Sequence, residues 1–282
     1  MWDGIRRAGV MNSADQSRIA RAFGHAAPTY DAVADLQLES LRGMVAQLVD
    51  EDRLRAGDCW LDLGSGTGAG MMELARVMPG LDIVSLDLSR EMLCFQRERI
   101  QAFPGLRRWI QADAAQLPLA PDSVHGVFSN MMLQWCDAPD QVLAECFRVL
   151  RHQGHLVLTT FGPATLCELA HAWQAVDDRR HVNDFVSPDE ILRCAEKAGF
   201  EHIAVSTRSL KRTYTSVEHL MRSLKHLGAR TVTGGNRGNY LLTPGRFLRL
   251  KDAYAQQMAH DGQTQATYEI IMVKAAKMTG YR

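Results

Sequence analysis

The spacing of apolar side chains changes twice along this chain of 282 residues. Residues 15–50 carry apolar side chains every three or four positions, which predicts helices. From about residue 58 to residue 161, short apolar runs alternate with helical stretches. This alternation predicts parallel strands joined by right-handed crossover helices, and so a doubly wound α/β sheet. The predicted strands are 59–63, 81–86, 108–111, 126–129 and 156–160.

Beyond residue 162 the periodicity is less regular. It predicts helices near 164–177, 188–198, 217–228 and 245–259. Two further apolar runs, at 203–205 and 268–273, could complete the sheet. In a sheet of this type the ligand lies at the carboxyl ends of the strands, so we expect a site there.

Composition narrows the class of protein. Hydrophobic residues make up 46% of the chain and charged residues 23%, enough for one α/β core with an extra layer. The 32 basic and 32 acidic side chains cancel, so no overall field favours nucleic acid. No secretory segment and no run of 18 apolar residues occurs, which argues against a membrane partner. The six cysteines lack metal-ligand spacing and are typical of a reducing cytoplasm, where we expect the protein to act, without a bound metal.

The first predicted strand runs into three alternating glycines, Gly64, Gly66 and Gly68. Glycines let the backbone turn sharply and approach a ligand, and the following helix offers free N–H groups to an anion. The dinucleotide pattern G-x-G-x-x-G/A is also satisfied, by Gly64, Gly66 and Ala69, so a pyrophosphate and an amino-acid carboxylate both fit. Asp62 favours the amino acid, because its carboxylate would repel a pyrophosphate but could accept a hydrogen bond from an ammonium group.

Polar side chains also follow the next three predicted strands. Asp87 ends the second strand, where a carboxylate can accept hydrogen bonds from both ribose hydroxyls. Asp113 and Ala114 follow the third strand and could face an adenine amino group. Asn130 follows the fourth, in a position to line the floor beside a reacting methyl group. The expected ligand is therefore a nucleoside joined to an amino acid, as in S-adenosylmethionine (AdoMet).

The D-x-G-x-G-x-G motif at 62–68, with these strand-end residues, resembles class I AdoMet-dependent methyltransferases over roughly 58–161. The resemblance implies a Rossmann-like fold, with a mixed seven-stranded sheet and helices on both faces. It also implies AdoMet as methyl donor and S-adenosyl-L-homocysteine as product. The residues it implies at the cofactor are Asp62, Gly64, Ser65, Gly66, Gly68, Asp87, Leu88, Asp113, Ala114 and Asn130.

A narrower resemblance extends over almost the whole chain. The segments 23–31, 129–135, 173–185 and 221–229 resemble those of malonyl-[acyl-carrier protein] O-methyltransferases of biotin synthesis. Enzymes of this family methylate the free carboxyl of a malonyl thioester, which implies malonyl-acyl carrier protein, or malonyl-CoA, as substrate. Ser65 departs from the cysteine that is common in the family's glycine turn. Serine is equally compact, so we expect AdoMet binding to persist.

The implied reaction predicts a lid. A malonyl carboxylate is ionised at neutral pH and needs no general base. Its attack on a sulfonium methyl merges opposite charges, so a closed and dry site favours it. We expect residues 1–50 to form an N-terminal helical lid on a single methyltransferase domain, 51–282, with a helical insertion at about 162–230 as the second wall.

The resemblance places the reacting groups among Tyr30, Asn130 and Gln134, the predicted catalytic residues. Tyr30 can donate a hydrogen bond to the substrate carboxylate, and Trp135 could pack against the cofactor or the acyl arm. Arg222 and Lys225 could bind that carboxylate. With Lys211, Arg212 and Arg230 they could instead form a basic surface for an acidic carrier protein.

Other interpretations stay open at this point. The acceptor could be another small carboxylate such as aconitate, or a quinone ring carbon. Mitochondrial assembly factors for respiratory complex I resemble the same family, so a binding or protein-modifying module is the third possibility. Trp173 lies at the spacing of a core residue, and His171 and His181 lack a second ligand at metal-site spacing.

Overall fold

The computed structural model describes residues 5–7, 14–100, 104–227, 243–257 and 264–278. Its strands are β1 (Ile5–Arg7), β2 (Cys59–Leu63), β3 (Asp82–Asp87), β4 (Arg107–Gln111), β5 (Val124–Asn130), β6 (Leu150–Phe161), β7 (Glu201–Tyr214) and β8 (Thr264–Lys277). They form one sheet in the order β1-β4-β3-β2-β5-β6-β8-β7. Strand β8 runs antiparallel to β6 and β7, whereas the other neighbours pair in parallel. The predicted mixed seven-stranded sheet is confirmed, and the short strand β1 adds an eighth at one edge.

Helices flank the sheet on both faces, as the resemblance implied. They are α1 (Ala14–Tyr30), α2 (Asp35–Asp50), α3 (Ala69–Val77), α4 (Arg90–Arg99), α5 (Pro139–Val149), α6 (Cys167–Gln174), α7 (Pro188–Ala198), α8 (Val217–His226) and α9 (Pro244–Gln257). Helices α2 and α3 pack on one face, and α5 and α7 on the other. Across the described ranges, we find no helix with the length and apolar character needed to span a membrane.

Strand β2 shows why both faces must be covered. Its side chains alternate, so Leu61 and Leu63 join the core under α5 and α7. Trp60 points to the opposite face and is fully buried in the core under α2 and α3. A strand that is apolar in both directions has to lie between two layers of helices.

A third apolar core lies beyond the carboxyl ends of the parallel strands, among α6, α8, α9 and the start of β8. The predicted insertion, 162–230, contributes α6 and α8 to this core. The same range also contains α7 and β7, which belong to the layers of the main sheet. The wall beside the sheet is therefore built from separate parts of this range and not from one continuous insertion.

Strand β7 is much longer than the apolar run at 203–205 predicted. It pairs with β8 from Glu201, opposite Ala276, to Tyr214, opposite Thr264. Most of its side chains are exposed, and Arg208 and Lys211 among them give it the charged character of a protected edge strand. The strand is set by pairing with β8, so its own hydrophobic pattern is weak.

Candidate active site

The glycine turn between β2 and α3 lines a cavity of about 210 Å³. Gly64 and Gly66 both have positive φ angles, 74° and 52°, which favour glycine. A Cβ atom on Gly64 would lie 2.2 Å from Cγ of Met132, whereas one on Gly66 would meet no atom within 4 Å. Because Gly66 lines the cavity, any side chain there would occupy cavity space. The turn therefore presents bare backbone to a ligand.

Asp87, at the end of β3, fixes this turn and lines the same cavity. Its Oδ2 accepts a hydrogen bond from the Gly66 amide at 2.8 Å, and its Oδ1 accepts one from the Ser89 amide at 2.8 Å. Burial raises the pKa of the Asp87 carboxyl, and the backbone amides that donate to it oppose that shift. The carboxylate is thus rigidly held beside Leu88 in the cavity wall, where a ligand diol could donate to it.

Asp113 and Ala114 lie in the opposite part of that wall. Oδ1 of Asp113 accepts a hydrogen bond from the Ala115 amide at 2.9 Å. Its Oδ2 accepts one from Nε2 of Gln16, on helix α1, at 2.6 Å. Helix α1 therefore reaches across the cavity and contacts the acidic group that the sequence placed at its adenine end.

Asp62 does not line the cavity. It shares the sheet face of Trp60, its side chain is only 3% exposed, and its carboxylate accepts a hydrogen bond from the Met71 amide of α3. The other oxygen, Oδ2, has no hydrogen-bond partner in the described structure. Burial, with the charge of Asp87 as a second cause, raises the pKa of Asp62 to about 7. Asp62 thus packs against α3, and its contact with an ammonium group stays a prediction.

Ser65 and Gly68 also lie behind the turn. The Ser65 hydroxyl donates to Oε1 of Gln96 at 3.1 Å and is buried. Gly68 precedes α3, and a Cβ atom there would lie 2.5 Å from Cγ of Gln96. Neither residue lines the cavity, and both shape the turn; their contact with the cofactor stays a prediction.

A second, larger cavity of about 800 Å³ adjoins the first. Four residues line both cavities: Phe23, Tyr30, Met131 and Trp135. The Phe23 ring packs edge-on against Trp135, with centroids 5.2 Å apart, and lies 6.2 Å from the Tyr30 ring. Burial, followed by the charge of the nearby Asp87, raises the pKa of Tyr30, so its hydroxyl stays protonated and can donate. The predicted Tyr30 and Trp135 thus stand where the two cavities meet.

The side-chain amides of Asn130 and Gln134 form hydrogen bonds with neighbouring parts of the protein. Nδ2 of Asn130 donates to a carbonyl of α2 at 3.0 Å, and its Oδ1 accepts from Thr159 at 2.9 Å. Nε2 of Gln134 donates to the Met131 carbonyl at 2.7 Å, and its Oε1 accepts from Thr160 at 3.0 Å. These hydrogen bonds fix the orientation of both amides in the cavity walls, and the catalytic roles of the two residues stay predictions.

The predicted basic residues divide into two kinds. Arg222 and Lys225, on α8, line the larger cavity, are exposed and form no ion pair within the described ranges. Arg212, on β7, also lines it but pairs with Glu39 of α2. Arg230 lies outside the described residues. Lys211 is exposed on β7 and does not line the cavity.

Sequence reasoning missed several lining residues of the larger cavity. Trp173 is buried in the third core, as its spacing predicted, but it also reaches the cavity. His181 stacks on it with ring centroids 3.7 Å apart. Tyr214 and Tyr268, whose hydroxyls lie 2.8 Å apart, come from the ends of β7 and β8. The resemblance at 173–185 was the available signal for His181, whereas no local pattern marks Tyr214. Over the described ranges, no group of three or more His, Cys, Asp or Glu residues could hold a metal ion.

Comparison with known proteins bears on the chemistry. Residues 61–158 match the methyltransferase domain family. The chain is 38% identical over 256 residues to the malonyl-[acyl-carrier protein] O-methyltransferase of Methylococcus capsulatus, covering 91% of this chain and 92% of that protein. It is 35% identical to the biotin biosynthesis bifunctional protein BioHC of Cellvibrio japonicus, covering 95% of this chain and 51% of that protein.

A solved structure of low sequence identity shares the fold. Phosphoethanolamine N-methyltransferase 2 of Haemonchus contortus, in complex with phosphomonomethylethanolamine and S-adenosylhomocysteine, matches with a TM-score of 0.61 and 16% identity. The match covers 95% of this chain and 61% of that one. At this identity it supports the class I methyltransferase fold and nothing narrower.

Proposed function

The chain belongs to the malonyl-[acyl-carrier protein] O-methyltransferase family, and from that membership we propose that it methylates the free carboxyl of a malonyl group on an acyl carrier protein. It is an O-methyltransferase of biotin synthesis. S-adenosylmethionine is the proposed methyl donor and S-adenosyl-L-homocysteine the product. The observation that carries the proposal is the meeting of a smaller cavity and a larger one at Phe23, Tyr30, Met131 and Trp135.

The smaller cavity fits the proposed donor. Gly66 leaves backbone space that a side chain would fill, and the half-buried Asp87 carboxylate lines the same space. Gly64, Leu88, Asp113 and Ala114 complete the surface proposed to hold it. When bound, AdoMet supplies an electrophilic methyl group on a positively charged sulfur.

Methylation of the acceptor requires that the reactants are aligned and that water is excluded, and it does not require a general base. The malonyl carboxylate is already ionised at neutral pH. Tyr30, which is protonated and half-buried, is proposed to donate a hydrogen bond that orients this carboxylate. Phe23 and Trp135 exclude water between the two cavities, and such ordering of reactants supplies much of a methyl-transfer rate.

The size of the larger cavity supports a carrier-bound substrate. A volume of about 800 Å³ lies in the upper part of the roughly 300–1,000 Å³ range of pockets that hold drug-sized ligands. A malonyl group alone is far smaller, so the remaining space suits a pantetheine arm. The exposed Arg222 and Lys225 at the rim are the proposed contacts for the acidic carrier or the arm's phosphate.

We further propose that residues 1–50 act as the lid, because α1 contributes Gln16, Phe23 and Tyr30 to the walls of the smaller cavity. The cytoplasm is the proposed compartment. All six cysteines are unpaired, which agrees with a reducing environment.

The direct test is methyl transfer from labelled AdoMet. The purified chain is incubated with malonyl-acyl carrier protein, malonyl-CoA, free malonate, aconitate and a quinone, with acetyl-acyl carrier protein as the matched control that lacks the acceptor. We expect a base-labile methyl ester on the malonyl thioesters alone. Label on aconitate or the quinone without label on the malonyl thioesters would contradict the proposal.

A further inference from the structure

His181 is held rigidly in the wall of the larger cavity. Its Nε2 lies 2.9 Å from Oδ1 of Asp177, and its ring stacks on Trp173 with planes 10° apart. Asp177 is itself fixed, because it also accepts from Nη2 of Arg246 at 2.5 Å and from the Arg179 amide at 2.9 Å. The side chains of His181 and Asp177 are 23% and 13% exposed. A surface histidine without a role would not be expected in so ordered a position.

The contact with Asp177 determines which ring nitrogen is available. An ionised carboxylate accepts hydrogen bonds only, so Nε2 of His181 carries the proton. Nδ1 is left without a hydrogen-bond partner among the described residues. Since His181 lines the cavity, this second nitrogen is the group it can offer to a ligand.

The other basic residues that line the larger cavity are exposed or already paired. Arg222 and Lys225 are exposed at the rim. Arg212 is occupied by Glu39, and the exposed His219 bonds through Nδ1 to Thr215 at 3.0 Å. His181 thus combines partial burial with an open ring nitrogen, and hydrogen bonds to charged groups are stronger where water is scarce.

We propose that His181 recognises the free carboxylate of the malonyl group, donating to it through Nδ1. With the carboxylate bound, the ring lies between two carboxylates, that of Asp177 and that of the substrate, and stacks on the flat face of Trp173. Arg222 and Lys225 at the rim then bind the carrier or its phosphate, whereas His181 binds the carboxylate.

This inference rests on the proposed function, so wild-type transfer to malonyl-acyl carrier protein is established first. The test then compares the Kd of malonyl-acyl carrier protein with that of acetyl-acyl carrier protein, which lacks only the carboxylate. Both are measured on enzyme saturated with S-adenosyl-L-homocysteine, so that no methyl is transferred. Two variants separate the ring nitrogens. His181→Gln places an amide near the position of Nε2, and His181→Asn places one near that of Nδ1.

We expect the wild type to favour the malonyl form at least tenfold, as a hydrogen bond between charged groups provides. In H181Q this preference should fall at least threefold, with the remainder supplied by Tyr30, while the Kd of the acetyl form stays within about threefold. H181N should recover part of the preference. The matched control is His171→Asn, at an exposed position of α6, which should leave the preference unchanged.

An equal loss of affinity for both forms in H181Q would overturn the inference, because it would assign His181 to the pantetheine arm or to the fold. An unchanged preference in H181Q would overturn it too. If wild-type enzyme transfers no methyl group to the malonyl carrier, the proposed function itself fails, which is a separate result.

Discussion

The hydroxyl of Thr67, in the glycine turn, donates a 2.6 Å hydrogen bond to the Asp31 carboxylate, just beyond the end of helix α1. Asp31 also pairs with Arg99, at the end of α4. Helix α1 is thereby tied to the turn that borders the smaller cavity, on the side opposite its contact with Asp113. The two contacts fasten both ends of α1, the cover that we propose for this cavity.

Loss of the hydrogen bond between Thr67 and Asp31 should weaken the attachment of α1 to the glycine turn. Thr67 is buried, so Thr67→Val keeps its volume and removes only the hydroxyl. We expect a loss of about 1 kcal/mol in stability and a several-fold faster dissociation of AdoMet, measured by chemical denaturation and by stopped flow. Thr29→Val, which removes a hydroxyl bonded only within α1, is the control. Equal dissociation rates in both variants would refute the role of Thr67 as a fastening point.

Asp87 should be the most sensitive residue of the smaller cavity. Asp87→Asn exchanges one accepting oxygen for an NH₂ group, which must then face the amide of either Gly66 or Ser89. We expect AdoMet affinity to fall at least tenfold by calorimetry, because both the turn and the proposed ribose acceptor are disturbed. Asp58→Asn makes the same charge change at the start of β2 and should leave affinity unaltered. Unaltered binding in Asp87→Asn would remove Asp87 from the site.

Asp62 should make stability depend on pH. Its pKa is raised from 3.8 to about 7 in the folded state, so the fold favours the protonated carboxyl. The contribution of this residue to the free energy of unfolding is therefore complete below pH 4 and is lost as pH rises through 7. The full loss is on the order of 4 kcal/mol. Asp62→Asn keeps an acceptor for the Met71 amide and cannot ionise. Its Tm should therefore exceed that of the wild type by an amount that grows by several degrees between pH 5 and pH 8.

The comparison for Asp62 is Asp52→Asn, which removes an exposed carboxylate. Its Tm difference from the wild type should stay constant over the same pH range. A constant difference for Asp62→Asn as well would show that Asp62 is ionised in the fold without cost.

Charge reversal at the cavity rim should distinguish docking of the carrier protein from binding of the acyl group. Arg222→Glu with Lys225→Glu should raise KM for malonyl-acyl carrier protein by tenfold or more, and KM for malonyl-CoA by less. The reason is that rim charges guide an acidic macromolecule over a wide surface. Arg55→Glu, exposed at the opposite end of the sheet, is the control. Equal increases for both substrates would favour direct binding of the acyl arm or its phosphate over docking of the carrier.

Asp62 and Asp87 show what a local sequence pattern can predict about a site and what it cannot. Sequence placed both Asp62 and Asp87 at the cofactor, because each stands at the end of a predicted strand. The structure puts Asp87 in the cavity wall and Asp62 on the far side of the turn. The difference depends on the face of the sheet to which each side chain points where the chain leaves its strand. The spacing of residues along the sequence does not predict that direction.

The acceptor side depends still more on long-range packing. Tyr214 comes from the end of a polar edge strand, whose extent is fixed by pairing with β8. His181 gains its setting from Trp173, Asp177 and an arginine of α9, over sixty residues further along the chain. None of these contacts has a period or a motif that a single sequence could show.

What the sequence determined by itself is the α/β fold, the glycine turn and the position of Asp87 and Asp113 at the ends of strands. These follow from local backbone preferences and from hydrophobic periodicity, which act over a few residues at a time. Only the tertiary structure decided that Phe23 and Trp135 line two adjoining cavities, and that His181 lines the larger one. Those features arise from side chains far apart in sequence, which are brought together by burial of the third core against the end of the sheet.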